Sequence, residues 1–356
     1  MLEKYLQEST AKWMKGEGPH HNIVLSSRIR LARNLKKIPF PRQAKDEQTK
    51  QIVTTVKESL KRGETGLGKQ DIVYMKDLNS IDKQVLVEKH LVSPMLAKED
   101  RNSAAVLRDD EAVSIMLNEE DHVRIQCLFP GLQLENAFQL ADQIDDLIEE
   151  SADFAFDENL GYLTACPTNV GTGMRASVML HLPGLSITGQ TNRILSSLGQ
   201  VGLAVRGLYG EESEVVGNIF QISNQITLGK SEQDIIQNLH GVTKQLVEQE
   251  EQARKRLKKE KELEIADTAG RAFGQLSYAR FMSTREALDL LSKVRLGVDM
   301  GILEDVDATI LDELMVLIRP GNLQKIAGKE LNSRDRDVKR AEVVRERIKI
   351  RNTSSN

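Results

Sequence analysis

The residues best able to do chemistry are arginines set among apolar neighbours. Val24-Leu25-Ser26-Ser27-Arg28-Ile29-Arg30-Leu31 reads as a strand, with Ile29 and Leu31 facing a core and Arg28 and Arg30 side by side on the other face. Adjacent guanidinium forks repel unless an anion lies between them, and phosphate accepts their paired N–H groups. Arg124, Arg175 and Arg206 recur on predicted strands or at strand ends. Five such groups converging on one cleft would neutralise a triphosphate. Scattered over separate surfaces they would be ordinary salt bridges, and spacing alone leaves both readings open.

Carboxylates stand near these arginines. Asn118-Glu119-Glu120-Asp121 ends a strand just before Arg124, and Glu211 closes the loop after Arg206. Paired carboxylates can orient and deprotonate a cationic nucleophile, and an acidic turn is the plain alternative. Alternation puts Cys127 in the core. Cys166, at a strand end before Pro167 and Thr168, is the more accessible thiol, with a hydroxyl nearby to stabilise a thiolate. Residues 63–70 satisfy G-x-x-x-x-G-K, but Gln70 stands where a phosphate loop carries Ser or Thr, and a charged helix precedes it. A glycine-rich turn is the reading.

These side chains need elements to hold them. The 356 residues allow one large or two ordinary domains, and 40% apolar with 29% charged content describes a soluble globular chain. The net charge of −4 provides no global basic field, so an anion site must be a local concentration of arginine. Two cysteines make no disulfide framework and fit a reducing compartment. The N-terminus lacks the apolar stretch of a signal peptide, and nothing approaches the roughly 18–20 apolar residues of a membrane span. A cytoplasmic protein is expected.

Periodicity predicts an amphipathic helix over 1–16, a helix over 46–62, and strands near 72–75, 104–107, 112–117 and 123–129, antiparallel where spacing is hairpin-like. A helix over 136–150, a strand near 161–166, a glycine turn running into an apolar segment over 171–180, a helix over 184–200, and strands near 202–206 and 215–222 follow. Residues 231–261 read as one long helix whose nearly all-charged end, 250–262, predicts a solvated connector and a domain boundary. Beyond it the Ser283/Glu286 capping box opens a helix, another runs over 303–318 and stops at Pro320-Gly321, and a charged helix covers 333–350. The expected fold is α+β: a mainly antiparallel sheet flanked by helices over 1–255, then an all-helical domain over 256–356.

In order, Ser26-Ser27-Arg28-Ile29-Arg30, Asn118-Glu119-Glu120-Asp121-His122-Val123-Arg124, the run from Cys166 to Arg175-Ala176, and Arg206-Gly207-Leu208-Tyr209-Gly210-Glu211 resemble the motif series of the phosphagen (guanidino) kinases. The series spans residues 22–255. Within that family the chain resembles the bacterial protein arginine kinases along its whole length. The resemblance implies a magnesium–ATP kinase acting on a guanidinium nitrogen. It implies nucleotide contacts from Ser26, Ser27, Arg28, Ile29, Arg30, Arg124, Arg175, Ala176, Ser177, Val178, Met179, from Arg206, Gly207, Leu208, Tyr209, Gly210 and Glu211, and from His90. Glu120 and Glu211 would hold the substrate guanidinium, with Cys166 beside it as thiolate. No protein metal ligand is implied.

In the small-molecule members a helical domain precedes the first arginine motif and helps close the site, whereas here that motif arrives at residue 26. An uncovered site favours arginine within a polypeptide over a free guanidino metabolite. A non-catalytic phosphoarginine-binding adaptor is the alternative of another class. In Arg336-Asp337-Val338-Lys339-Arg340-Ala341, spacing alone gives a salt-bridged exposed helix. The resemblance implies an allosteric phosphoarginine pocket there. It also implies protein substrates including a CtsR-type stress-gene repressor, a zinc-binding McsA-type activator, a Clp unfoldase that reads the mark, and a homodimer or higher assembly. It implies no direct contact with nucleic acid or membrane.

Overall fold

The computed structural model describes residues 3–7, 13, 18–62, 67–99, 101–207 and 215–349. Ten strands follow in chain order: β1 (Val24–Arg33), β2 (Gln70–Tyr74), β3 (Ala104–Arg108), β4 (Val113–Leu117), β5 (Val123–Pro130), β6 (Phe156–Asp157), β7 (Gly161–Tyr162), β8 (Met174–His181), β9 (Leu203–Arg206) and β10 (Ile219–Asn224). Eight of them form one sheet in the order β2-β3-β4-β5-β1-β8-β10-β9, with every neighbouring pair antiparallel. β1, the arginine-bearing strand, lies inside the sheet, and β6 pairs with β7 in a separate hairpin.

One face of the sheet is sealed. Ile29, Leu31, Ile125, Cys127, Val178 and Ile222 pack in a single core with the apolar stripes of the helices Asp46–Arg62, Leu134–Glu149 and Glu232–Glu260. Among the described residues, apolar packing covers the other face at two places. Val73, Ala105, Leu107 and Met116 pack beneath the helix Ser80–Glu88 and its neighbours. Leu128, Met179 and Ile219 pack with the C-terminal helices Glu262–Tyr278, Thr284–Asp299, Ala308–Leu317 and Ser333–Lys349. A polar strip remains between these two apolar patches. The Ser283/Glu286 capping box is formed, with Glu286 N donating to Ser283 Oγ at 3.2 Å. No described helix is long and apolar enough to cross a membrane.

Several elements differ from expectation. The segment 184–200 is two helices, Pro183–Ile187 and Thr191–Gln200, parted where Gly189 adopts φ 71°. The helix expected to stop at Pro320-Gly321 does end, at Leu317, and Pro320 then opens a further helix, Pro320–Ala327, as Pro94 opens Pro94–Lys98 behind the cap Ser93. Proline suits the first helical turn, where its missing N–H has no partner to lose. The run 250–262 is not a solvated connector. Glu250, Ala253, Arg254 and Leu257 form a buried stripe at helical spacing inside it. Glu250 accepts from Gly184 N at 2.8 Å and Leu185 N at 2.9 Å, and pairs with Arg254 Nε at 2.7 Å. Arg254 in turn reaches Asp299 at 3.1 Å.

Removing Glu250 would orphan two buried N–H groups and weaken the compensation of a buried cation. Glu250→Ala is therefore expected to cost about 3–5 kcal/mol in urea unfolding. A solvated glutamate would cost less than about 0.5 kcal/mol.

Candidate active site

Cross-strand partners in an antiparallel sheet share a face, so register decides which arginines meet. Arg30 stands opposite Gln126 on one side and Arg175 on the other. Ala32 opposes Arg124, Arg28 opposes Ser177, and Gln221 opposes both Met179 and Arg206. Arg28, Arg30, Arg124, Arg175 and Arg206 therefore all rise from the polar strip of one sheet face. Between the two apolar patches lies a cleft lined by Arg28, Arg30, His90, Arg175, Arg206 and Gln221, with Arg124 on the same sheet face.

Arg28 is held in place: Nη2 donates to Gln221 Oε1 at 2.8 Å and Nε to Ser177 Oγ at 3.2 Å. Arg30 Nε is buried and has no hydrogen-bond partner. Burial, then the neighbouring Arg175 and Arg124 guanidinium groups, pull the Arg28 pKa down to about 10. Burial and the same repulsion, led by Arg28, hold Arg30 well below its usual value. A site that destabilises its own cations this way is built around an anion.

His90 closes one side with a left-handed backbone, φ 59°. Its ring meets the single tryptophan, Trp13, edge-on at 5.5 Å. Gln126 Nε2 donates to its carbonyl at 2.8 Å. Burial and then Arg28 push the imidazole pKa from 6.5 to about 3, so the ring is neutral at physiological pH. Because the folded value lies below the unfolded one, protonation favours the unfolded chain. Wild-type stability relative to His90→Gln is therefore expected to be complete above pH 6.5 and to fall as pH drops towards 3. Paired urea titrations across that window would check this, and parallel curves would contradict it.

The turn beside Arg124 is acidic. Arg124 donates Nη1 to Glu119 at 3.0 Å and Nη2 to Glu120 at 2.9 Å. Glu119 is buried and also accepts from Ser93 Oγ at 2.6 Å, whereas the Glu120 side chain is 32% exposed. Glu119 thus anchors Arg124, and Glu120 is the carboxylate open to an incoming cation. Asp121 Oδ1 accepts from Ala165 N and Asn34 Nδ2, both at 2.7 Å. Those bonds tie the Cys166 loop to the carboxylate turn. Cys166 is partly exposed, its Sγ 3.0 Å from Thr168 Oγ1. Thr227 Oγ1 holds the same loop at 2.7 Å from Val170 O.

Side chains named in the sequence divide by parity. Arg28, Arg30, Arg175, Ser177, Met179 and Arg206 share the cleft face, with Ser26 at its inner end beside Trp13. Ile29, Ala176 and Val178 turn into the core, and Ser27 Oγ donates to Gly131 O at 2.8 Å, so these residues hold the strands. Leu208, Tyr209, Gly210 and Glu211 lie outside the described residues. Sequence reasoning missed Glu119 as the anchor, Trp13 as a wall, and Gln126 and Gln221. Gln126 could have been found from its two-residue spacing to Arg124, whereas Gln221 carries no local signal.

The ATP:guanido phosphotransferase C-terminal catalytic domain matches residues 51–253, and the C-terminal domain of the protein-arginine kinase McsB matches residues 262–356. A protein-arginine kinase of Halothermothrix orenii is 52% identical over 349 residues, covering 98% of this chain and 99% of that one. The Bacillus subtilis protein-arginine kinase is 51% identical over 350 residues, covering 98% and 96%. The chain belongs to the protein-arginine kinase family. Lombricine kinase shares the fold, with a TM-score of 0.58 at 24% identity over 67% of this chain and 68% of that one. So does the duplicated taurocyamine kinase from Schistosoma mansoni with bound transition state analog components, at 0.60 and 22% over 73% of this chain and 39% of that one.

In this member of the protein-arginine kinase family the last helix, Ser333–Lys349, carries Arg336 to Ala341. Arg340 is buried: Nε donates to Ile318 O at 2.8 Å, Nη1 to Met282 O at 2.9 Å, and it pairs with Asp337. Ala341 packs in the core, while Val338 is exposed and Arg336 reaches Leu331 O at 3.4 Å. Lys339 pairs with Glu342 at 3.0 Å.

Proposed function

We propose that the chain transfers the γ-phosphoryl group of ATP to the guanidinium of arginine residues in proteins. The observation that carries this reading is the arginine face with an unpartnered Arg30 Nε, walled by Glu120 on a turn bonded to the Cys166 loop. Arg28, Arg30, Arg124, Arg175 and Arg206 would offset the charge of the phosphates and of the transferring group. The incoming guanidinium has a pKa above about 12 and is a poor nucleophile until a carboxylate orients its plane and takes a proton. Glu120 fills that role, on a turn that Asp121 bonds to the Cys166 loop. The N–P bond forms as the bond from the γ-phosphorus to the ADP oxygen breaks, and the guanidinium proton passes to Glu120.

Among the described residues no group of three or more His, Cys, Asp or Glu could hold a metal. Mg²⁺ arriving with ATP would supply further charge neutralisation in the cleft. The same reading extends to Glu211 as second carboxylate, to catalytic and helical domains over 1–255 and 256–356, and to phosphoarginine binding at Arg336–Ala341. It also extends to cytoplasmic partners: a CtsR-type repressor as substrate, a McsA-type activator, a Clp unfoldase that degrades the marked proteins, and a second copy of the chain.

Incubation with γ-labelled ATP and either a folded protein or free arginine tests it. Acid-labile label on protein arginine is expected. Label confined to free arginine would make the chain a metabolite kinase, and binding of phosphoarginine with no transfer at all would make it an adaptor.

A further inference from the structure

Three consecutive residues join three separate parts of the molecule. Glu88 ends the helix Ser80–Glu88, and its buried carboxylate leaves the sheet domain altogether. It accepts from Gly321 N at 2.7 Å, Asn322 N at 3.0 Å and Asn322 Nδ2 at 2.9 Å. Those backbone donors belong to the first turn of Pro320–Ala327, where N–H groups have no partner in their own helix and a negative charge is favoured. Lys89, fully buried, donates to Tyr5 O at 2.9 Å and pairs with Glu111. His90 then enters the cleft against Trp13 and Arg28.

The junction is tight. A Cβ on Gly321 would come within 2.9 Å of Glu88 Oε2 and 3.0 Å of Val85 N, so glycine is needed for this approach. Only Lys89 separates Glu88 from His90, a span of at most about 7 Å, and His90 sits in a conformation that leaves little room to re-settle. On the far side, Arg340 Nε holds Ile318 O, two residues before Pro320. The phosphoryl-transfer chemistry itself uses none of these contacts.

We propose that Glu88 is a positioning residue for nucleotide binding: by clamping the start of Pro320–Ala327 it fixes the Lys89–His90 corner, so that the seating of the C-terminal helices sets the affinity of the cleft for ATP. This rests on the reading of the cleft as an ATP site. The readout is the fluorescence of Trp13, the only tryptophan in the sequence, whose ring meets His90 in a small pocket adjoining the cleft, titrated with Mg–ATP on the full chain.

Glu88→Ala is expected to weaken ATP binding about tenfold while kcat at saturating ATP stays within about twofold. Glu88→Gln keeps an acceptor but turns an amide N–H₂ towards the Asn322 donors, and about threefold weakening is expected. Lys325→Ala removes a partly exposed ion pair to Asp82 between the same two helices and should leave affinity unchanged.

Wild-type affinity in Glu88→Ala with only a lower melting temperature would overturn the proposal. If that variant does not fold, Glu88→Gln and Asn322→Ala decide, and wild-type affinity in both overturns it. Because the titration needs no turnover, a wild type that binds ATP yet phosphorylates no protein arginine would sink the kinase reading and leave this one standing.

Discussion

Arg30→Met is expected to lower kcat/KM for phosphoryl transfer by about 10³-fold or more and, at the same time, to raise the melting temperature by a few degrees. The loss follows from the transition state, whose charge spreads over the transferring group. A single well-placed guanidinium on such a group is worth about 10³–10⁵ in rate. The gain follows from the ground state. Arg30 is half-buried with its Nε fully buried and without a partner, and Arg28, Arg124 and Arg175 all oppose its charge. Methionine keeps the stem that packs on the strand and removes the cation, and replacing buried charge by apolar volume is often stabilising by about 1–4 kcal/mol. Function and stability thus pull in opposite directions at this position. Initial rates and calorimetry on the same preparation check both signs. Loss of activity together with loss of stability would mean that Arg30 serves the fold and not an anion. Arg30→Lys should recover little, since an ammonium cannot reproduce the bidentate fork.

Glu120→Gln is expected to lower kcat by about 10²–10⁴-fold, the usual share of a positioned acid–base group, with ATP affinity within about twofold of wild type. The separation of the two effects rests on the neighbouring carboxylate. Arg124 keeps Glu119 when Glu120 is neutralised, so the phosphate side of the cleft retains its geometry. Glu119→Gln should show the reverse pattern. That carboxylate is buried between Arg124 and Ser93, and its loss would disturb ATP binding and stability together. Single-turnover rates with a protein acceptor, set beside Trp13 titrations, separate the cases. A Glu120→Gln enzyme with near-wild-type kcat would remove Glu120 from proton transfer and throw that role onto Glu211.

Much of this was legible residue by residue. The strand pleat alone puts Ile29 and Leu31 inward and Arg28 and Arg30 outward, because side-chain period is a local property of backbone geometry. Cys127 in the core, Cys166 in an accessible loop with a hydroxyl at hand, and the Ser283 cap are local in the same sense. The ordered motifs added the proposed chemistry, since each keeps its candidate side chains within a short stretch.

Where local rules met long-range packing, they failed. The run around Glu250 is charged by composition, yet one stripe of it is buried because Gly184, Leu185 and Asp299 arrive from distant segments to pair with it. Pro320-Gly321 reads as a stop, but the Glu88 carboxylate satisfies the donors of a new helix there.

The sequence by itself determined which residues could bind phosphate and which could handle a proton, because those are properties of side-chain type and strand parity. Only the tertiary structure decided that Arg28, Arg30, Arg124, Arg175 and Arg206 stand on one face, with Glu120 paired to Arg124 at its edge. That convergence depends on the register of β5, β1, β8, β10 and β9, which is set by hydrogen bonds between strands far apart in the chain and by the core they seal.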